Sequence, residues 1–371
     1  MRQIFFTILI LYLLGNVYIL YRALQTLRRT KLGIKIGFAI VYIALIISFW
    51  YIFRNEKINH TFYVISSAIP IFTLYMVIWL FITDSIALAG KLFKLRIFAD
   101  NKSRTQFRNS TFWIGCCSVI VLLMVGNYKY RHPDTKVINI VINKPLTSSQ
   151  QQLKVVAISD VHLGYDTNKE MLKKYVNEIN NLKPDLILIG GDLIDHSIFP
   201  VRKQQMQEEL NQLNAPLGIY MVPGNHEYYT GIQKVKDFLT QTKIHLLVDT
   251  TIQLSNKLTL VGRNDYSQKR KSLSSLLANT NKKNPILLLD HQPRNLEEAV
   301  KEKIDLQFSG HTHNGQIWPF PFLVNKLFEL GYGMKQTNDT YQYVSSGLSL
   351  WGPPFRIGTN SEIVVFNIMF K

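Results

Sequence analysis

The chain has 371 residues, of which 42 are basic and 25 are acidic, and its formal net charge is +17. Apolar residues make up 47% of the sequence, which excludes a disordered chain, and two cysteines exclude a disulfide-stapled scaffold. The charge is uneven, because residues 1–136 carry a net +13 and residues 137–371 only +4. The excess positive charge therefore accompanies the long apolar runs. This pattern is typical of a membrane protein with basic loops and argues against nucleic acid as a partner.

Four apolar runs have the length and composition of membrane-spanning helices, which need about 20 residues. They cover residues 4–21, 36–53, 62–82 and 112–128, and the apolar part of the fourth is the shortest. The first run has only Arg2 before it and no small-residue cleavage site after it, so we expect it to be retained rather than removed as a signal peptide. We therefore predict a four-helix transmembrane anchor over 1–128, a connector with a first strand over 129–150, and a soluble domain over 151–371.

The basic residues of the loops predict the orientation of this anchor. The loop after the first run holds five Lys or Arg and no acid, the next loop holds only Arg54 and Lys57, and the third loop holds six. Loops rich in Lys and Arg stay in the cytoplasm. Both termini, and the domain after the fourth run, are therefore predicted to lie outside the cytoplasmic (inner) membrane. If the fourth run does not span, the domain lies in the cytoplasm instead.

Beyond residue 136, short β-rich runs alternate with polar helical stretches. Strands are predicted at 153–158, 186–189, 219–222, 286–289, 306–308, 341–344 and 363–368, with a hairpin of 252–254 and 258–261 around Ser255 and Asn256. Helices are predicted at 169–179, 204–213, 234–240 and 296–303. This alternation indicates an α/β domain with a largely parallel sheet covered on both faces.

His, Asp or Asn residues follow five of these strands. They are Asp160 and His162, then Asp192, then Asn225 and His226, then His291, and finally His311 and His313. Because parallel strands end at the same edge of a sheet, we expect these side chains to converge there. The mixture of imidazole, carboxylate and amide oxygen suits Mn, Fe or Zn rather than Ca. Seven ligands drawn from this set would be too many for one ion with open positions, but they suffice for two ions that share a bridging carboxylate.

The blocks that carry these residues resemble a known family. In order they are Asp160-x-His162, Gly191-Asp192, Gly224-Asn225-His226-Glu227, His291 and Gly310-His311-x-His313. This order is similar to that of the calcineurin-like metallophosphoesterases over about residues 150–320, and segments 311–316 and 351–356 look like its membrane-attached bacterial branch. The resemblance implies a β-sandwich flanked by helices.

The resemblance also implies a role for each residue. Asp160, His162 and His313 would bind the first metal, Asn225, His291 and His311 the second, and Asp192 both. His226 would lie outside the coordination shell, where it stabilises the scissile phosphate or protonates the leaving oxygen. The implied reaction is phosphoester hydrolysis by a hydroxide that bridges the metals. Asp195 and Asp290 are expected to be supporting or surface residues.

We expect the substrate to be a phosphodiester or a pyrophosphate, and to be lipid-linked because the domain is tethered to a bilayer. The apolar segment 317–324 follows the last ligand directly. It forms either a lip that receives an acyl chain or buried packing, and burial is the preferred interpretation. Two alternatives stay open: a cytoplasm-facing nucleotide-lipid precursor pyrophosphatase, which needs the opposite topology, and a non-catalytic membrane scaffold, which predicts lost ligands.

Overall fold

The computed structural model describes residues 2–52, 59–95, 98, 100–146, 151–254 and 257–371. The chain forms two compact units. The first comprises Met1–Gly126 with Gly352–Pro354, and the second comprises Asn127–Trp351 with Phe355–Lys371.

Four long helices characterise the N-terminal part of the chain. They are α1 (Arg2–Thr26), α2 (Leu32–Ile52), α3 (His60–Leu92) and α4 (Asn101–Arg131). Each contains a stretch long and apolar enough to cross a bilayer. The predicted four-helix membrane region is therefore confirmed, and the four predicted runs lie within these helices apart from residue 53, which is outside the described residues.

Helix α4 differs most from its predicted span, because it begins at Asn101 rather than at residue 112. The side chain of Asp100 accepts hydrogen bonds from the backbone N and the Oγ of Ser103, both at 2.8 Å, and so satisfies donors of the first turn. Thirty-one residues give a helix of about 46 Å, against a hydrocarbon core of about 30 Å. The fourth run, which has the shortest apolar stretch, thus belongs to a helix that is longer than the hydrocarbon core and has polar turns at its ends.

Polar contacts connect the membrane helices at two levels. Asn16 of α1 accepts hydrogen bonds from Tyr42 of α2 and Thr73 of α3, at 2.8 and 3.1 Å. Near the ends of the helices, the buried Arg22 donates to Asp84, and the Nε of Arg108 lies 3.4 Å from the same carboxylate. Because a lone charge in an apolar environment is costly, Asp84 stabilises two cationic side chains there. This cluster brings the end of α1 and the start of α4 to the same end of the bundle.

The second unit contains two six-stranded sheets. The first sheet contains β1 (Asp134–Ile142), β2 (Gln152–Ile158), β3 (Leu186–Ile189), β4 (Ile219–Met221), β5 (Ile244–Leu246) and β12 (Glu362–Phe370), in the order β1-β12-β2-β3-β4-β5. The second contains β6 (Thr250–Gln253), β7 (Thr259–Gly262), β8 (Ile286–Leu289), β9 (Leu306–Ser309), β10 (Gly333–Thr337) and β11 (Thr340–Val344), in the order β10-β11-β9-β8-β7-β6. Most neighbouring strands are parallel, but β12–β2, β6–β7 and β10–β11 are antiparallel.

The two sheets share one apolar core, and helices cover their outer faces. Alternate side chains of a strand point to opposite faces. Accordingly, Val155 and Ala157 of β2 pack in the cluster that joins the two sheets. Val156 and Ile158 pack instead with residues of the helices on the outer side. This arrangement confirms the predicted α/β domain and the β-sandwich that the resemblance implied.

Short helices connect the strands. They are α5 (Lys169–Asn181), α6 (Ile198–Lys203), α7 (Gln207–Leu210), α8 (Asn225–Thr230), α9 (Ile232–Leu239), α10 (Leu273–Leu276), α11 (Glu297–Lys301) and α12 (Phe320–Leu327). The helix predicted at 204–213 is present only as the shorter α7, because Gln205 has a φ of 53° and the helix cannot begin before it. The single parallel sheet covered on both faces is wrong, because the strands divide between two mixed sheets that cover each other. The predicted hairpin corresponds to β6 and β7, and its turn residues Ser255 and Asn256 lie outside the described residues.

Candidate metal centre

The predicted site residues converge where the two sheets meet. Strands β2, β3 and β4 lead into Asp160 and His162, Asp192, and Asn225 and His226, while β8 and β9 of the other sheet lead into His291 and into His311 and His313. From the sequence, we expected these side chains to converge at one edge of a single sheet. The structure instead forms the site between two facing sheets, because strands from both supply the loops.

The first group of ligand atoms comprises Asp160, His162 and His313, which lie within 4.8 Å of one another. The Oδ1 of Asp160 is 3.4 Å from the Nε2 of His313 and 3.9 Å from the Nε2 of His162. The two Nε2 atoms are 3.3 Å apart. Two imidazole nitrogens and a carboxylate oxygen that face one another in a buried space form a cation site.

The second group comprises Asp192, His291 and His311. The Nε2 of His291 lies 3.1 Å from the Oδ2 of Asp192, and its Nδ1 donates to the carbonyl oxygen of Gly190 at 2.7 Å. That second bond fixes the tautomer that leaves Nε2 free for a metal. The Oδ1 of Asn225 is buried without a hydrogen-bond partner, so it has an unused lone pair that a cation would satisfy.

Asp192 lies between the two groups. Its Oδ2 is 3.1 Å from the Nε2 of His291 in the second group and 3.9 Å from the Nε2 of His162 in the first. Its Oδ1 accepts the backbone N–H of His226 at 2.8 Å. A carboxylate in this position can contact two cations at once, and this fits a pair of metals better than one.

The backbone at the site is strained. Five of the seven predicted ligands have left-handed φ angles between 47° and 70°: Asp160, His162, Asp192, His311 and His313. Such conformations cost about 1–3 kcal/mol each and cluster at functional sites. Space is equally restricted, since a Cβ on Gly310 would lie 2.3 Å from the Oδ2 of Asp160, and one on Gly224 would lie 2.2 Å from the Oδ1 of Asp192. The loops are therefore built around the ligand atoms.

Known proteins share this chain's sequence pattern. The calcineurin-like phosphoesterase family matches residues 153–315. An uncharacterized metallophosphoesterase of Campylobacter jejuni is 30% identical over 382 aligned positions, which cover 99% of this chain and 98% of that protein. The chain belongs to the calcineurin-like metallophosphoesterases. An uncharacterized metallophosphoesterase of Helicobacter pylori is 36% identical over 61% of this chain and 62% of its own length. A Bos taurus protein named "transmembrane protein with metallophosphoesterase domain" is 32% identical over 59% of this chain and 53% of its own length.

Family membership and the four apolar helices together make this protein a membrane-associated metallophosphoesterase, a hydrolase of phosphoester bonds. The non-catalytic scaffold predicted lost ligands, whereas the groups that could hold metal ions are present, so this observation speaks against it.

Two imidazoles of the metallophosphoesterase centre are held in the form that binds metals. Burial is the main cause that lowers the pKa of His311 to about 4, and the nearby His291 lowers it further. Burial likewise places the pKa of His313 well below its usual range. Both rings are therefore neutral near pH 7, and a neutral imidazole nitrogen is the form that coordinates a divalent ion.

The pKa of His226 shifts in the opposite direction. Burial alone would lower its pKa, but Asp195 and Asp192 together raise the pKa above the ordinary value. The Oδ1 of Asp195 is 3.2 Å from the Nδ1 of His226 and 3.3 Å from the Nδ1 of His162. One carboxylate thus lies against both the predicted ligand His162 and the neighbouring ring of His226. Asp195 is therefore a supporting residue and not a surface residue. The sequence left that choice open for Asp195 and Asp290. The only signal for Asp195 was its position three residues after Asp192.

Asp290 is the other position left open, and it too is a supporting residue. It is buried and pairs with Arg263 and Arg270, whose Nη1 atoms approach its carboxylate to 3.2 and 2.9 Å. Burial raises the pKa of Asp290 to about 6, against the opposing effect of the two arginines.

Two further supports escaped the sequence analysis. Glu227 is fully buried and accepts backbone N–H groups from Gly224, Asp192, Leu193 and Ile194 at 2.7–3.1 Å, so it joins the loops after β3 and β4. Arg356 is also fully buried and donates to the carbonyl oxygens of His313, Ser346, Gly347 and Ser349. Neither role has a recognisable sequence signature: Glu227 joins the loops after β3 and β4, and Arg356 joins its own loop, between β11 and β12, to His313 after β9.

The segment after the last ligand is exposed, which corrects the preferred interpretation of buried packing. A short 3-10 turn (His313–Gly315) precedes α12, and α12 has no buried residue. The exposed fractions are 70% for Phe322, 51% for Leu323 and 59% for Leu327. An apolar helix pattern predicts an apolar environment, and the sequence cannot tell a protein core from a lipid.

Proposed function

We propose that this metallophosphoesterase hydrolyses a lipid-linked phosphodiester or pyrophosphate at the outer face of the cytoplasmic membrane, with two metal ions chosen from Mn, Fe and Zn. Asp160, His162 and His313 hold the first ion, and Asn225, His291 and His311 hold the second. Asp192 is shared by both ions. When bound, such a pair neutralises the phosphoryl oxygens and activates water at neutral pH.

His226 acts on the leaving group. Its ring lies in the site beside His162, with ring centroids 4.5 Å apart, and nearby carboxylates raise its pKa. Asp195 fixes the ring through Nδ1, which leaves Nε2 to donate to an oxygen of the substrate. A positively charged imidazole stabilises the charge that develops on phosphoryl and leaving-group oxygens, and it can supply the proton that the departing alkoxide needs.

The exposure of α12 supports a lipid substrate. The helix begins five residues after the 3-10 turn that carries His313, and Trp318 and Phe320 at its start are 45% and 43% exposed. Helices with exposed aromatic and aliphatic side chains lie in the interfacial region of bilayers. Because the chain carries membrane helices, a bilayer is always available to this surface. A substrate phosphate attached to a lipid would then reach the metals from the same surface.

The proposed orientation rests on the charged loops and on α4. Loops one and three are basic and loop two is nearly neutral, as the positive-inside rule requires for four spans with both ends outside. The cluster of Arg22, Asp84 and Arg108 lies at the end of the bundle where those two basic loops begin and end.

The lipid proposal is tested with the full chain in proteoliposomes that contain a phospholipid-type phosphodiester or pyrophosphate. We compare the wild type with the double variant Phe322→Ser/Leu323→Ser and with the control Val137→Ser, which removes an exposed apolar side chain from β1. The α12 variant should lose at least about tenfold in rate on the embedded substrate, because it removes two exposed apolar side chains that a bilayer would bury, at about 1.5–3 kcal/mol each. It should keep its rate on a soluble phosphodiester. Equal rates for all three proteins on the embedded substrate would refute a role for α12.

The orientation is tested by adding protease to intact spheroplasts. We expect cleavage of the catalytic unit from outside. Cleavage only after lysis would place the unit in the cytoplasm and would support the precursor pyrophosphatase instead.

A further inference from the structure

Three arginines lie near the loops that follow β7 and β8. Arg263 pairs with Asp290 at 3.2 Å and with Glu298 at 3.0 Å, and Arg270 pairs with Asp290 at 2.9 Å. Two of the three guanidinium groups are therefore neutralised by carboxylates. Their positive charge holds the loop after β8 in place and is not available to a ligand.

The third, Arg294, is different. No carboxylate of the described residues lies within ion-pair distance of its guanidinium, and its Nε is buried without a hydrogen-bond partner. The group is held by aromatic rings, with its Cζ 4.6 Å from the ring centroid of Phe328 and 5.7 Å from that of Tyr266. Stacking of this kind orients a guanidinium while leaving its N–H groups free in the ring plane.

The stack leads directly to the metal centre. The ring of Phe328 lies 6.1 Å from that of His311, with the two rings nearly perpendicular. One aromatic ring therefore separates the guanidinium of Arg294 from a proposed ligand of the second metal. Arg294 thus carries an unneutralised, pre-oriented positive charge on the His311 side of the proposed metal centre.

We infer that Arg294 is a specificity residue that binds a second phosphoryl group of the substrate, next to the one that is hydrolysed. The inference rests on the proposed function and narrows its substrate from a phosphodiester or pyrophosphate to a pyrophosphate. Guanidinium groups bind phosphoryl oxygens through two parallel N–H···O bonds, which ammonium groups cannot reproduce. A substrate with a single phosphate has no group for Arg294 to bind.

The test compares two soluble substrates that differ by one phosphoryl group, bis(p-nitrophenyl) phosphate and bis(p-nitrophenyl) pyrophosphate, with phosphorus NMR as the common readout. Arg294→Gln should raise KM for the pyrophosphate by about 10- to 100-fold, the usual range for a charge-assisted hydrogen-bonded contact, and change KM for the diester by less than about threefold. The KM of Arg294→Lys for the pyrophosphate should lie between that of the wild type and that of Arg294→Gln. Lys269→Gln, which removes an exposed charge from the neighbouring loop, is the control and should affect both substrates alike.

Each outcome has a separate meaning. If Arg294→Gln changes both substrates equally, or neither, with metal content retained, the inference is wrong while the proposed function stands. If Arg294→Gln loses its metals or its fold, Arg294→Lys decides, because a wild-type KM for the pyrophosphate in that variant would also refute bidentate binding. If the metal-loaded wild type hydrolyses neither substrate, the proposed function itself fails.

Discussion

Glu227 offers the sharpest test of how the loops of this site are held together. In Glu227→Gln one carboxylate oxygen becomes an NH2 group. Whichever oxygen is replaced, two backbone donors then face another donor: either those of Asp192 and Gly224, or those of Leu193 and Ile194. A buried donor without a partner costs about 1–3 kcal/mol, so we expect a loss of about 2–6 kcal/mol.

The loss is measured as thermal unfolding of the catalytic unit in detergent, where it corresponds to a fall in Tm of about 5–20 °C. Burial and the charge of Asp192 raise the pKa of Glu227 to about 7. Metal binding at Asp192 would remove the second of these causes, so the ionised form that accepts four donors is the one present in the loaded enzyme. Glu208→Gln makes the same chemical change at a side chain that is 54% exposed and paired with Lys169, and it should cost less than about 0.5 kcal/mol. An unchanged Tm together with full metal content in Glu227→Gln would refute the proposed bridging of the two loops.

Three further outcomes follow from the geometry. His226→Ala should lower kcat for a chromogenic phosphodiester by about 10²–10⁴ with metal content unchanged, whereas loss of both metals would make His226 a ligand. Gly310→Ala should destabilise the catalytic unit by about 1–3 kcal/mol and weaken metal binding, because its Cβ would lie 2.3 Å from Asp160, while a Cβ at Gly33 meets nothing within 4 Å and Gly33→Ala serves as control. In the metal-free protein, a pKa of about 4 for His311 means that the folded state binds this proton less readily than the unfolded chain. The stabilisation, at most about 3 kcal/mol, is present above about pH 6.5 and is lost as the pH falls towards 4, so that His311→Gln should flatten the curve of Tm against pH.

The parts of the fold that were predictable have local signals. The strand Leu186–Ile189 is an unbroken aliphatic run before Gly190 and Gly191, and α5 shows apolar residues at helical spacing. The membrane helices were predictable because length and composition suffice. The division of the strands between two sheets was not predictable. The sequence pattern of a βα unit is the same whichever sheet its strand joins.

In the candidate site, too, the features with a local sequence signal were predictable and the others were not. Its ligand types were visible because each follows a strand, and the family resemblance supplied their roles. Glu227 and Arg356 were not recognised as supports, since each also binds a loop far away in the sequence, at Leu193 and at His313 respectively. The exposure of α12 was mispredicted because an apolar helix that faces lipid has the composition of one that faces a core.

The number of metal ions tests the central claim most directly. Inductively coupled plasma mass spectrometry on the purified full chain, wild type and Asp192→Asn, gives the ions per chain, and bis(p-nitrophenyl) phosphate gives the activity of the same samples. We predict two ions per active wild-type chain, and the loss of at least one ion and of hydrolysis in Asp192→Asn with the fold intact. An active wild type with a single ion, or an Asp192→Asn variant that keeps two ions and its turnover, would contradict the shared carboxylate and with it the two-metal site.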